Sequence, residues 1–200
     1  MSGLSGESIT RMGVIAFLIL QFFSRPFWCK AFPRLAPRTR FILLGMLLAS
    51  VVEGFHMIST PVFPALKFGP ETSLLQGLSK YALDLAFTLP AYLLIFSVIW
   101  FFVSRYSYSF WSYVLIMGLA QTIGDGGLFY FLSAPFMLVF LPYPMSNYHA
   151  INILPMLAVR EQLPPGRPGG ARRLLAIPAV IATYLVCGGL IQIIGKKFGL

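Results

Sequence analysis

The sequence predicts an all-α protein, a polytopic helical bundle that lies in a membrane. Its mean hydropathy is +0.80, and 58% of its 200 residues are hydrophobic whereas only 10% are charged. Soluble domains usually contain roughly 25% charged residues, so this composition argues against a water-soluble globule. The chain holds enough apolar residues for several membrane crossings, at about 20 residues for each crossing.

Apolar length sets the predicted helices. The candidate spans, in chain order, are 12–28, 41–59, 81–103, 109–132, 136–159 and 174–195. The first is the weakest, because Arg25 and Pro26 interrupt it. The fourth and fifth form one long apolar run, which we divide at Ser133-Ala134-Pro135. The sequence therefore predicts five to six transmembrane helices.

Lysine and arginine residues predict the orientation of the bundle. They are concentrated in the connections 24–40, 104–108 and 160–173, whereas 60–80 has only Lys67 and Lys80. Cytoplasmic loops carry an excess of basic residues, so we expect the three richer connections to face the cytoplasm. The net charge of +9 follows from this topology, and no basic face for nucleic acid is expected.

Three carboxylic acids within the predicted spans are the main functional candidates: Glu53, Asp84 and Asp125. A carboxylate at bilayer depth is costly unless it is paired, protonated or hydrated, so each acid indicates a functional site. Glu53 is predicted to lie mid-span with no basic partner on its helix. Asp84 lies only three residues inside its predicted helix, and can equally be an interfacial residue near the first turn.

Other polar residues share predicted helix faces. His56 follows Glu53 by three residues, which places both on one side of their helix. Four residues of the fifth span are candidates for substrate binding: Asn147, Tyr148, His149 and Asn152. The two asparagines can instead form hydrogen bonds between helices. If the polar groups of four helices point inward, they form one shared cavity.

No metal site is expected from the sequence. Cys29 and Cys187 are far apart, and the chain has no CxxC motif or Cys/His spacing typical of a ligand set. Its two histidines fall short of the three protein ligands that a catalytic zinc usually has.

One polar stretch within the fourth predicted span has a recognisable pattern. The run Gly118-Leu-Ala-Gln-Thr-Ile-Gly-Asp125, followed by Gly-Gly-Leu-Phe-Tyr-Phe-Leu132, resembles the third helix of the EXPERA domain. The EXPERA family includes the sterol Δ8–Δ7 isomerase (emopamil-binding protein) and its sigma-2-receptor relatives. Val51-Val-Glu53-Gly-Phe55 resembles the Glu-Gly-aromatic stretch of the domain's first helix. The stretch from Asn147 to Pro155 is similar to the Asn-then-Pro stretch of its last helix.

The resemblance covers roughly residues 41–160 and implies an EXPERA-like four-helix core with one helix before it and one after. Residues 1–40 are then an N-terminal helix and a basic connection, 161–173 a linker rich in Pro, Gly and Arg, and 174–200 a final transmembrane helix. The sequence departs from the isomerase at Ala49, where that enzyme has a histidine, and it has no tryptophan between Asn147 and Pro155.

The resemblance implies a membrane isomerase or cyclase, which protonates an alkene of a sterol or terpenoid and lets the carbocation rearrange. A carboxylic acid kept from water can stay protonated near neutral pH, and a second, ionised carboxylate can stabilise the cation. We expect Glu53 to donate the proton. Asp125 or Asp84 is the expected stabiliser, and His56 or His149 the relay base.

Two other functions stay open at this point. A sterol- or lipid-binding protein without catalysis fits the departures from the isomerase, and a proton-coupled transporter fits acids within membrane spans. The expected partners are a hydrophobic sterol or terpenoid and membrane lipids, with no nucleic acid and no cofactor; a homodimer is left open. The resemblance suggests the endoplasmic reticulum as the location.

Overall fold

The computed structural model describes residues 5–163 and 170–200, and within them it is helical with no strand. Its α-helices are α1 Gly6–Lys30, α2 Pro37–His56, α3 Leu74–Val103, α4 Phe110–Thr122, α5 Leu128–Ser133, α6 Pro142–Val159 and α7 Ala176–Lys197. The predicted all-α helical bundle is therefore confirmed.

Five helical segments of the described chain are long and apolar enough to cross a membrane: Gly6–Lys30, Pro37–His56, Leu74–Val103, Phe110–Ser133 and Gly170–Lys197. They are compatible with an integral membrane protein. The fifth predicted span is not among them. It begins at Pro142 rather than at 136, because residues Pro135–Phe140 form a 3-10 turn.

Five helices pack into a closed ring. α2 contacts α3, α3 contacts α7, α7 contacts α4, α4 contacts α6, and α6 contacts α2. α1 packs on the outside of this ring, against α6 and α2. The last helix thus completes the ring, a role that the sequence did not indicate.

α1 is continuous where the sequence predicted an interruption, so that prediction is wrong. Both Arg25 and Pro26 lie within the helix, which runs on to Lys30. The buried Arg40 of α2 donates hydrogen bonds to the backbone carbonyls of Cys29 and Ala31. These bonds satisfy carbonyl groups that a helix end leaves without partners, and they hold the helix together beyond the proline.

α2 and α3 have different ends from those predicted. α2 ends at His56, so Glu53 lies in its last turn rather than mid-span. α3 begins at Leu74, because Ser73 and Gln76 form a capping box there, in which each side chain satisfies a free backbone N–H group. The predicted start at 81 is wrong, and Asp84 lies well inside α3 instead of in its first turn.

The fourth predicted span is broken in its second half. A π-helical turn, Ile123–Gly127, separates α4 from α5, and within it Asp125 (φ −86°, ψ 50°) and Gly126 (φ 88°, ψ −16°) leave the helical conformation. Gly126 takes a left-handed conformation that glycine enters at no steric cost. The predicted break at Ser133-Ala134-Pro135 is confirmed, since α5 ends at Ser133.

The main apolar core fills one half of the ring. Its fully buried side chains come from α2, α4 and the second halves of α3 and α6, and they include Phe41, Leu48, Phe96, Met117 and Leu154. Residues 161–163 and 170–173 of the predicted linker lie at this end of the bundle, and its residues 164–169 are outside the described chain. The other half of the ring is left for a cavity.

Candidate functional site

A cavity of about 1060 Å³ lies in the half of the ring opposite the core. Its walls come from the end of α2, the middle of α3, the π-helical turn, the first half of α6 and the second half of α7, with the first turns of α1 at one edge. Ligand pockets usually measure roughly 300–1,000 Å³. This cavity is therefore large enough for a polycyclic or isoprenoid molecule.

Glu53 faces the cavity from the last turn of α2. One of its carboxyl oxygens, Oε1, accepts a hydrogen bond of 2.5 Å from the hydroxyl of Tyr92 on α3. Tyr92 lines the cavity as well. Because Glu53 is only half-buried, its carboxyl group is held by the tyrosine and still accessible from the cavity.

Asp125 faces the same cavity from the π-helical turn. Its Oδ2 accepts a hydrogen bond of 2.6 Å from the hydroxyl of Tyr148 on α6. Hydrogen bonds from a hydroxyl to a carboxylate are short and strong. Glu53 and Asp125, which the sequence singled out, therefore share one site, and each is positioned by a tyrosine from a neighbouring helix.

A third tyrosine continues this polar layer onto α7. The hydroxyl of Tyr184 donates a hydrogen bond of 3.0 Å to Oε1 of Gln121. Its ring packs edge-to-face against that of Tyr148, with ring centroids 6.4 Å apart. Gly124 lets α7 approach closely, since a Cβ atom there would lie 2.9 Å from Cβ of Tyr184. The small residue next to Asp125 thus allows a close contact between the π-helical turn and α7.

Aromatic rings make up much of the cavity wall. The aromatic residues that line it are Tyr92, Tyr130, Phe131, Phe140, Tyr143, Tyr148 and Tyr184. The faces of such rings attract cations, and their edges and bodies offer an apolar surface to a hydrocarbon. The site therefore combines two carboxyl groups with a wall suited to a hydrophobic ligand.

His56 lies one turn after Glu53 and lines the cavity too, as the spacing of three residues predicted. Its Nδ1 is 3.0 Å from the hydroxyl oxygen of Thr60. Because Thr60 lies in the loop after α2, this contact holds the imidazole at the edge of the cavity, beside the C-terminal end of α2.

Asp84 is placed differently from the other two acids. It is fully buried, and its Oδ1 accepts a hydrogen bond of 2.9 Å from the backbone N–H group of Val62. Val62 and Thr88 line the cavity, while Asp84 lies behind them. Its carboxylate thus anchors the loop between α2 and α3, and we assign it no part in the chemistry of the cavity.

The four candidates on α6 divide into two pairs. Asn147 and Tyr148 line the cavity. His149 instead packs against Gly118 of α4, where an added Cβ atom would lie 2.8 Å from its Nε2. Asn152 donates a hydrogen bond of 2.7 Å to the carbonyl of Tyr148 within α6, and its Oδ1 accepts one of 3.4 Å from the hydroxyl of Tyr113 on α4. The structure therefore places His149 and Asn152 between helices rather than in the cavity wall.

Sequence reasoning missed Tyr92, Tyr184 and Arg11, which also line the cavity. The signal for the two tyrosines was available, because a buried tyrosine hydroxyl in an apolar span needs a hydrogen-bond partner. Such a residue indicates a polar neighbour on another helix, here Glu53 for Tyr92 and Gln121 for Tyr184.

No group of three or more His, Cys, Asp or Glu side chains suited to a metal ion occurs within residues 5–163 and 170–200. Both cysteines are free thiols. Cys187 is buried and lies in the cavity wall on α7, whereas Cys29 is near the C-terminal end of α1.

No family model, no curated protein and no solved structure matches this chain. Membership of the EXPERA family accordingly stays a prediction from the residue patterns around Glu53 and Asp125. The function of the chain is therefore inferred from the geometry of its cavity.

Proposed function

We propose that this protein is an integral membrane isomerase or cyclase that rearranges a sterol or terpenoid alkene through a carbocation. One observation carries the proposal. Glu53 and Asp125, each hydrogen-bonded to a tyrosine of a neighbouring helix, face one large cavity lined by aromatic rings. A proton donor, an anionic group and aromatic faces are what such a rearrangement requires.

Glu53 is the proton donor of this mechanism. In its neutral form it transfers a proton to one carbon of the alkene, and the electron pair of the double bond forms the new C–H bond. The neighbouring carbon is left as a carbocation, and Glu53 becomes a carboxylate. General acid catalysis of this kind contributes about 10²- to 10⁴-fold in rate.

Asp125 stabilises the cation and completes the reaction. As a carboxylate in a cavity of low polarity, it lowers the energy of the positive charge that forms during the reaction. It then accepts a proton from a carbon next to the cation, which restores a double bond at a new position. In a cyclase, a second alkene of the substrate attacks the cation first, and a ring forms before the proton is lost.

Aromatic rings supply a further stabilising interaction. Tyr92, Tyr148 and Tyr184 contribute rings to the cavity wall, and a cation over such a face gains about 1–2 kcal/mol. In this proposal, the three tyrosine rings take the place of the tryptophan that the sterol Δ8–Δ7 isomerase has on the last helix of its domain. His56, on the same helix side as Glu53, returns the proton from bulk water to the donor.

Deuterium labelling tests the proposal even while the substrate is unidentified. Unlabelled membranes from cells with and without the gene are incubated in buffer made with D₂O, because growth in D₂O would label every lipid during its biosynthesis. Their sterols and terpenoids are then compared by mass spectrometry. The expected product differs from its precursor by one shifted double bond or one new ring. It carries deuterium at the carbon that was protonated.

Three matched variants complete this experiment. Glu53→Gln and Asp125→Asn should each lower the deuterated product at least about 100-fold. Glu161→Gln removes an acid beyond the other end of the bundle and should leave the product unchanged. Unchanged product in both cavity variants would reject the acid and base roles.

A non-catalytic sterol- or lipid-binding protein is the second candidate. It is favoured by the placement of Asp84 and His149, whose contacts are with the loop and with α4 rather than with the cavity. A binding protein would show saturable binding of sterols with no deuterium incorporation.

We also propose that the protein resides in the endoplasmic reticulum, with the basic connections 24–40, 104–108 and 160–173 in the cytoplasm. The bias of lysine and arginine toward these connections supports this orientation. The cavity would then lie in the lumenal half of the bundle. Single acceptor sites for N-glycosylation, placed in the 57–73 loop or in 104–108, distinguish the two orientations.

A further inference from the structure

Arg11 lies in the wall of the cavity, in the second turn of α1. Its side chain is only 14% exposed. In the described part of the chain, its Nε and Nη1 atoms are buried and have no hydrogen-bond partner. Its charged neighbour is Glu7, with Nη2 and Oε1 3.7 Å apart, which is too long for a hydrogen bond.

Burying a guanidinium group without acceptors is unfavourable, because the charge loses its hydration. Glu7 compensates little of this loss, since its side chain is 62% exposed and exposed ion pairs contribute little. The unpartnered N–H groups of Arg11 therefore indicate an acceptor that belongs to a ligand.

The position of the guanidinium is fixed by packing. Its carbon Cζ lies 4.7 Å from the ring centroid of Tyr143 on α6. One turn further along α6, Asn147 also lines the cavity, and its buried Oδ1 has no hydrogen-bond partner in the described chain. Arg11 and Asn147 thus form a polar region, the Arg11 site, between α1 and α6.

Charge is unevenly distributed over the cavity. The Arg11 site is cationic and adjoins the exposed Glu7 at the start of α1, whereas the tyrosine-bound acids Glu53 and Asp125 lie among apolar and aromatic residues. An anion placed beside these two acids would be repelled whenever they are ionised. An anion beside Arg11 would instead be attracted.

We infer that the ligand of this cavity is an amphipathic lipid with an anionic head group, a carboxylate or a phosphate ester, bound by Arg11. Its hydrocarbon part fills the aromatic interior and reaches Glu53. The inference rests on the proposed function, which supplies the sterol or terpenoid body. With its head group fixed at Arg11, the ligand enters in one orientation, and its alkene is presented to the proton donor.

Three probes with the same isoprenoid chain test this inference: farnesyl phosphate, farnesoic acid and farnesol. Their dissociation constants are measured by native mass spectrometry of the full chain released from detergent micelles. We expect at least one of the two anions to bind at least about tenfold more tightly than the alcohol, as one charge-assisted hydrogen bond allows. The preferred anion then distinguishes a phosphate from a carboxylate head group.

Variants assign the preference to Arg11. Arg11→Gln should weaken binding of the preferred anion to the level of farnesol and leave farnesol binding unchanged. Arg11→Lys keeps the charge and should restore part of the preference. Glu7→Gln is the matched control: it removes the competing carboxylate and should keep or increase the affinity for the anion.

Several outcomes would overturn the inference. They are equal affinity for the three probes in the unaltered protein, no binding of any probe, or a preference that persists in Arg11→Gln. Equal weakening of all three probes in Arg11→Gln leaves the preference for the anion unchanged, so it also counts against the inference. Anion-selective binding without deuterium incorporation would instead reject the proposed catalysis and leave this inference standing.

Discussion

Tyr148 of α6 donates a hydrogen bond of 2.6 Å to Asp125 at the point where the fourth helix is unwound. Because the backbone of Asp125 leaves the helical conformation there, its side chain is directed toward α6 and the cavity. A second pair, Tyr92 and Glu53, joins α3 to α2 in the same way. The carboxyl groups of Glu53 and Asp125 are therefore each held by a hydroxyl from another helix.

Removing the Tyr148 hydroxyl should lower activity while leaving the ring in place. We expect Tyr148→Phe to reduce formation of the deuterated product about tenfold or more, because a hydrogen bond to a charged group contributes about 1.5–3 kcal/mol. The measurement is the labelled product formed when unlabelled membranes are incubated in D₂O buffer.

The matched control is Tyr108→Phe. The hydroxyl of Tyr108 donates a hydrogen bond of 2.8 Å to the carbonyl of Arg173, at the end of the bundle opposite the cavity. Equal effects of the two substitutions would contradict a specific role for Tyr148.

Asp84 should matter for stability rather than for chemistry. Asp84→Ala leaves the backbone N–H group of Val62 without its acceptor, which should lower the free energy of unfolding by about 1–3 kcal/mol. Asp84→Asn keeps an oxygen acceptor, so we expect a smaller loss and nearly normal product formation. Denaturant unfolding in detergent, together with the D₂O assay, measures both effects.

An inactive but fully stable Asp84→Asn variant would show that this carboxylate takes part in the reaction after all. The loop that it anchors, residues 57–73, supplies Val62 to the cavity wall. Loss of the anchor in Asp84→Ala is therefore also expected to weaken ligand binding.

Two neighbouring glycines should respond differently to substitution by alanine. At Gly126 an added Cβ atom meets nothing within 4 Å, but φ is +88°, so Gly126→Ala should cost only the strain of a left-handed residue, about 1–2 kcal/mol. At Gly127 the Cβ atom would overlap the carbonyl oxygen of Thr122. The backbone must then move.

We therefore expect Gly127→Ala to lower the midpoint of thermal unfolding more than Gly126→Ala does. It should also reduce product formation more, since the backbone that moves carries Asp125. The explanation of the helix break would be wrong if Gly126→Ala were the more damaging substitution.

The sequence singled out two acids and one tyrosine that line the cavity, although it placed Glu53 mid-span and the structure places it in the last turn of α2. Glu53, Asp125 and Tyr148 interrupt apolar spans, and a polar group at bilayer depth needs a partner or a ligand. Helical spacing also placed His56 on the side of Glu53 correctly. The patterns could not show that α7 contributes Tyr184 and closes the ring, because the order of helices around a bundle is decided by contacts distant in sequence.

The sequence by itself determined the class of this protein: an all-α bundle of apolar helices, since apolar length and scarcity of charge are properties of each segment alone. Only the tertiary structure decided that α1 continues past Pro26, where Arg40 from α2 satisfies carbonyls at its end. It also decided that Asp84 faces a loop and His149 faces Gly118. Periodicity assigns a residue to one side of its helix, but the neighbour on that side depends on how all the helices pack.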